Sequence, residues 1–159
     1  MIWRDFEAAA PDLARLGRAK LEGPGVAVLG ALRSNGAPRI DPVSVHVAEG
    51  HLLFGVMRSH KQADLRRDPR CAIHSAISDP EGTDGEFKAH GRAILVTDPA
   101  VRDAPAGAWW PTFPPEAADV YSLDLESAAF MRWDWAAGEV RVDRWSEAGG
   151  VTHTRRGYP

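Results

Sequence analysis

Three observations predict a mainly β fold, a small antiparallel barrel of about six to eight strands with a few short helices. Short apolar runs recur along the chain at strand length, tight turn signals separate them, and only a few segments carry helix punctuation. Pro11–Leu21 reads as an N-terminal helix, with proline at its start and Gly23-Pro24 beyond its end. Val26–Arg33 is a short apolar run, and Asn35-Gly36 after it is a strong hairpin signal, because both central turn positions favour positive φ. Arg39–Val47 resumes as a strand, Glu49-Gly50 turns the chain again, and His51–Met57 returns, which makes a three-strand meander. Pro42 inside the second strand marks a place where the backbone N–H is not needed by a ladder.

Lys61–Arg67 follows as a short polar helix, with Ser59 placed to cap it and Pro69 to end it. Cys71–Ile77 and Phe87–Thr97 are strand-like, separated by a loop at Asp79–Gly85, and Asp98-Pro99 opens a brief helix. Pro105–Pro115 holds four prolines and two tryptophans, and reads as an irregular packed loop. Asp119–Leu125, Ala129–Trp135 and Val140–Trp145 add strands, and residues 149–159 are expected to fray.

The chain of 159 residues suits a single domain and carries one cysteine, Cys71, so neither an intrachain disulfide nor a cysteine-based zinc site is available. A reducing, cytoplasmic setting is expected. The longest apolar run, near Val26–Leu32, is far shorter than the ~20 residues of a membrane helix. A net charge of −3 speaks against a general nucleic-acid binder. The six histidines show no metal-ligand spacing, and no nucleophile elbow, P-loop or dinucleotide fingerprint is present. Five of the six tryptophans fall in the last third of the chain, where core, interface and ligand-pocket roles all remain open. Cys71 is expected as a buried strand thiol.

Gly55–Gln62 carries the strongest chemical signal. A strand end runs into a helix start there, and five basic residues face two acids between Arg58 and Arg70. Free N–H groups at a helix N-terminus favour anions, and Arg58, Ser59 and Lys61 add charge and a hydroxyl. The same residues also fit a capped surface helix with a solvated face. Arg39 sits at a strand start from which a planar guanidinium can reach the same anion, or pair with Asp41 instead.

Read in order, these segments resemble the flavin-binding split β-barrel proteins related to pyridoxamine 5'-phosphate oxidase. The matching residues are Leu32–Val43, Leu52–Gly55, Ser59-His60-Lys61, Asp64–Arg70 and Gly91-Arg92-Ala93, roughly half the chain. The resemblance implies a homodimeric split barrel with cofactor sites at the subunit interface. It assigns Arg39, Ile40, Asp41, Pro42, Val43 and Ser44 to the ring and phosphate side of the cofactor. It assigns Ser59, His60 and Lys61 to the phosphate itself, with Arg58 in the basic cluster beside them that would serve FMN or a longer anionic tail. FMN is the expected cofactor, with the deazaflavin coenzyme F-420 or haem as alternatives. The implied activity is a flavin-dependent oxidoreductase acting on a small organic substrate by hydride transfer; the alternative is a non-catalytic flavin- or haem-binding protein. No side chain is nominated as catalytic, because the flavin supplies the redox chemistry. A haem would draw its axial ligand from His46, His74 or His90. The resemblance also lets Trp133 and Trp135 line the partner's cofactor pocket, and Trp109 and Trp110 cover its mouth. The segment Arg144-Trp145-Ser146-Glu147 departs from the ending of the true oxidase, which sets its substrate aside.

Overall fold

Two glycine turns at positive φ, Gly36 and Gly50, fold the first three strands into the expected meander: β1 (Val26–Leu32), β2 (Pro38–Ala48) and β3 (His51–Met57). The structure, a computed structural model, describes residues 1–157. Before the meander come α1 (Trp3–Ala9) and α2 (Pro11–Glu22). The second matches the expected helix; the first adds a turn-rich segment whose only apolar anchors are Trp3 and Phe6. After β3 come α3 (His60–Arg67), β4 (Arg70–Ser75), β5 (Glu86–Leu95) and α4 (Pro99–Arg102), then β6 (Ala118–Asp134), β7 (Glu139–Ser146) and β8 (Gly150–Gly157).

All strand pairs are antiparallel, in the order β3-β2-β1-β4-β5-β6, and β3 pairs with β6 to close a six-strand barrel. The expected separate strands at Asp119–Leu125 and Ala129–Trp135 are one long strand, β6. Its first half pairs β3 and its second half pairs β7, while β5 accompanies both halves across a register shift at His90/Gly91. Gly91 permits that bend: a Cβ there would lie 1.9 Å from Asp124 O. Residues 149–159, expected to fray, instead carry β8, which is paired with β7 along its length; positions 158 and 159 lie outside the described residues.

The core explains why α1 belongs to the fold. Trp3 meets Phe6 and Phe87 edge-on, and Phe6 packs on Trp145, all essentially buried. Burying a phenylalanine side chain contributes roughly 1.5–3 kcal/mol, so a seven-residue helix is held by its contacts more than by its propensity. Gly17 of α2 lies against the Phe87 ring, with no room for a Cβ. A second, smaller apolar layer covers the outer face of β3 and β6. Leu53, Val120 and Ala118 pack there under Trp110, with Val96, Val101 and Trp109 at its edge. Gly55 admits this layer, because a Cβ would lie 2.3 Å from the Trp110 ring.

Candidate functional site

β2 and β3 pair only where Val45–Ala48 meets His51–Phe54, so the strands part before Val45. Pro42 lies in the half of β2 that β3 leaves unpaired, within reach of the start of α3. Lys61 Nζ donates to Pro42 O at 3.1 Å. Proline at 42 fits the split, since the first half of β2 is paired only with β1.

Ser59 caps α3: its Oγ accepts from Gln62 N at 3.4 Å and donates to Met57 O at 2.9 Å. The His60 and Lys61 amides belong to the first turn, which has no intrahelical acceptors. Burial lowers the Lys61 ammonium from its ordinary value, Asp41 opposes that shift, and Arg39 adds to it. The ammonium feels both Arg39 and Asp41, and among the described residues no carboxylate lies within ion-pair distance of it.

The basic run between Arg58 and Arg70 is largely neutralised from within. Asp64, buried on α3, accepts from Arg39 Nε at 2.8 Å and from Arg67 at 2.5 Å. Hydrogen bonding by Arg67, against the opposing effect of burial, holds the Asp64 carboxyl below its usual range, with Arg39 assisting. Arg67 also reaches Leu32 O. Arg66 grips Asp119 with two bonds of 2.7 Å, and Tyr121 donates to the same carboxylate at 2.7 Å. Arg70 closes on Asp68, whose carboxyl is held down at about 2 by that guanidinium. Among the described residues, Arg58 and Lys61 are the two basic side chains of this run with no carboxylate at ion-pair distance.

The expected site residues therefore separate into groups. Arg58, Ser59, His60 and Lys61 gather at one point, around the α3 N-terminus. Arg39 lies at the same split, but its charge is met by Asp64 and by Asp41 at 3.4 Å. Pro42 presents its carbonyl. Val43 points into the core, so only its backbone faces the split, and Ser44 is half-buried. Ile40 is 73% exposed on the outer face. A cleft of about 310 Å³ beside α3 is lined by Arg33, Asn35, Arg39, His60, Asp64 and Arg67, and so shares Arg39 and His60 with the expected site. Sequence reasoning missed the bracing carboxylates Asp64 and Asp119. Arg67 lies three positions from Asp64, but Arg39 and Arg66, the partners that tie Asp64 and Asp119 across elements, lie 25 and 53 positions away, and no local pattern marks such pairs.

The histidines proposed as axial ligands differ in availability. His74 Nδ1 lies 2.7 Å from Ser75 O, and its Nε2 lies 3.5 Å from Glu86. His46 is lowered from its ordinary value by burial, with Glu22 opposing, and its ring meets Trp110 edge-on at 5.2 Å. His90 is exposed. Among the described residues there is no cluster of three metal-binding side chains, and no helix long and apolar enough to cross a membrane.

The tryptophans occupy different surroundings. Trp110 is fully buried rather than a cover, and it donates from its indole to Arg102 O at 2.7 Å. Trp133 and Trp135 stack at 5.2 Å, and Trp135 donates to Glu81 O, which ties the 79–85 loop to the β6–β7 hairpin.

Solved structures share this architecture at low identity. PhzG from Burkholderia lata, solved with tetrahydrophenazine-1-carboxylic acid, matches with a TM-score of 0.67 and 11% identity, over 98% of this chain and 93% of its own. A pyridoxamine 5'-phosphate oxidase-related, FMN-binding protein from Nostoc punctiforme gives 0.62 and 14%, over 99% and 100%. A heme-binding protein from Mycobacterium smegmatis gives 0.58 and 18%, over 90% and 88%. No curated protein matches the chain. The pyridoxamine 5'-phosphate oxidase sequence model matches residues 16–130, a span that runs from α2 through the split, α3 and the barrel into β6. With most of its length so matched, the chain belongs to the pyridoxamine 5'-phosphate oxidase family.

Proposed function

We propose that this protein binds FMN at the β2–α3 split and acts as a flavin-dependent oxidoreductase on a small organic substrate. One observation carries the reading. At the α3 N-terminus, two cations without a carboxylate ion pair among the described residues, Arg58 and Lys61, stand with the first-turn amides of His60 and Lys61, while the Ser59 hydroxyl, which donates to Met57 O, caps the helix. That donor set suits a phosphate monoester dianion. The flavin ring, when bound, supplies hydride chemistry. The chain's part is to hold the phosphate and to offer the Pro42–Ser44 backbone as a wall. Asp64 fixes α3 against β2 through Arg39, which keeps Lys61 at the split.

The ion pairing of Arg66 and Arg67 favours FMN over the deazaflavin coenzyme, because a longer anionic tail would need cations that Asp119 and Asp64 already hold. The Nostoc relative's FMN binding supports the same choice. The haem alternative rests on His90, since His74 is bonded within the chain and His46 is packed on Trp110.

The active form is proposed as a homodimer. Val26, Val28 and Ile40 lie exposed on one outer face of β1 and β2, and the register places Val28 beside Pro42. An apolar strip on a sheet face next to the split is the kind of surface that a second copy covers. Ile40→Asp is expected to shift the particle mass from dimer to monomer in light scattering; a wild-type monomer would reject the dimer.

FMN, the deazaflavin coenzyme and haem, titrated in parallel, test the cofactor. FMN is expected to bind at micromolar levels and turn the protein yellow, and Lys61→Ala to weaken it roughly 10- to 100-fold through loss of a charge-assisted contact. Unchanged affinity in that variant would move the phosphate elsewhere. A Soret band lost on His90→Ala, without FMN binding, would favour the haem reading.

A further inference from the structure

At the far end of β3 from Ser59, about 20 Å along the strand, lies a second cavity of about 340 Å³. Its walls are aliphatic, from Ile2, Ile94, Leu95, Val96 and Val101. Ile94 and Leu95 are adjacent on β5, yet both stay open to solvent, at 48% and 46%. Apolar side chains that stay exposed while lining a concavity, beside a few polar groups, mark a small-molecule site. None of these residues belongs to the β2–α3 split.

The polar groups of the cavity define what it takes. His51 Nδ1 lies 2.9 Å from Ser122 Oγ, and Ser122 is buried. His51 is the sole partner of that hydroxyl among the described residues. If Nδ1 carried the proton, the buried Ser122 O–H would be left without an acceptor, at a cost in desolvation. The hydroxyl therefore donates to Nδ1, and the imidazole proton sits on Nε2. With Nδ1 engaged, Nε2–H is the imidazole donor left for a ligand, beside the exposed Thr97 hydroxyl on the cavity wall. The two carboxylates on the walls are Asp98, whose Oδ1 caps Ala100 N at 2.9 Å, and Asp124, which faces the Met1 amine at 2.6 Å.

We propose that this cavity is a binding site for a neutral, mainly apolar molecule of one ring or short chain bearing a single carbonyl-type acceptor. His51 Nε2–H recognises the acceptor and Ser122 sets the tautomer that makes the donor. Asp98 turns anions away. The site stands independently of the flavin reading.

Acetophenone, ethylbenzene and benzoate, titrated into the full-length wild-type protein and followed by amide chemical shifts, test it. Acetophenone is expected to bind with a Kd of about a millimolar or tighter, moving the amides of His51, Ile94, Leu95, Val96 and Val101. Ethylbenzene, which lacks the acceptor, should bind about three- to tenfold more weakly, and benzoate more weakly than acetophenone. His51→Phe should reduce acetophenone to the ethylbenzene level. Val101→Phe, on the short α4 outside the barrel, fills the cavity and should abolish binding whether or not the His51 variant folds. Equal binding of acetophenone and ethylbenzene, shifts located elsewhere, or undiminished affinity in Val101→Phe would each overturn the assignment.

Discussion

Individual residues show how far charge in a sequence differs from charge available to a ligand. Five basic residues between Arg58 and Arg70 promise an anion site, yet Arg66, Arg67 and Arg70 are bound to Asp119, Asp64 and Asp68. Lys61 and Arg58 are what remain, which makes Lys61 the residue whose loss a phosphate should feel most. Cys71 behaves as its strand position suggested: burial pushes the thiol up to about 12, so the nucleophilic thiolate is scarce at neutral pH. A thiol reagent is expected to leave the folded protein unlabelled at pH 7.5 and to label it stoichiometrically in strong denaturant. Rapid labelling of the folded protein would show that β4 opens readily.

Among the elements, β6 decides most. It is long enough to close the barrel on β3 with one half and to leave it with the other, and Gly91 on β5 lets the two strands cross closely at the bend. Gly91→Ala sets a methyl against the Asp124 carbonyl, a backbone atom that cannot swing away. The variant is expected to lose about 3 kcal/mol or more, a fall of about 6–12 °C in melting temperature for a chain of this size. A drop of under 2 °C would show that the bend yields. Gly55 is its counterpart on β3, where the missing side chain seats Trp110 and, with it, the segment that borders the second cavity. Turns, the capped α3 and the meander were legible in sequence because glycine φ and capping chemistry act locally. The unity of β6 and the pairing of β8 were not, since both depend on partners supplied by distant strands.

At the scale of the whole molecule, carboxylates of depressed pKa set the response to acid. Asp68 and Asp79 are held at about 2, the first by Arg70 and the second chiefly by Thr83 and neighbouring backbone amides. Asp64 and Asp119 are lowered as well, the latter because Arg66 and Tyr121 outweigh its burial. Their folded values lie below the ordinary carboxylate value of about 4, so the stabilisation is complete above that pH and is lost as pH falls toward 2. His46, lowered by burial, contributes in the same direction around its ordinary value of about 6.5: it folds neutral, and acid favours the unfolded chain. Denaturant midpoints are therefore expected to decline gently below about pH 6.5 and steeply below about pH 4. A midpoint that held level down to pH 2.5 would show that these pairs contribute little. The sequence by itself determined the β class and the order of the family's segments, and it placed a capped helix start at Ser59, because periodicity, turn residues and caps are local physics. Tertiary structure alone decided which cations stay available, that Trp3 and Phe6 anchor a helix, and that His51 meets Ser122. Each of those depends on side chains brought together from positions far apart in the chain, and no spacing rule encodes that distance.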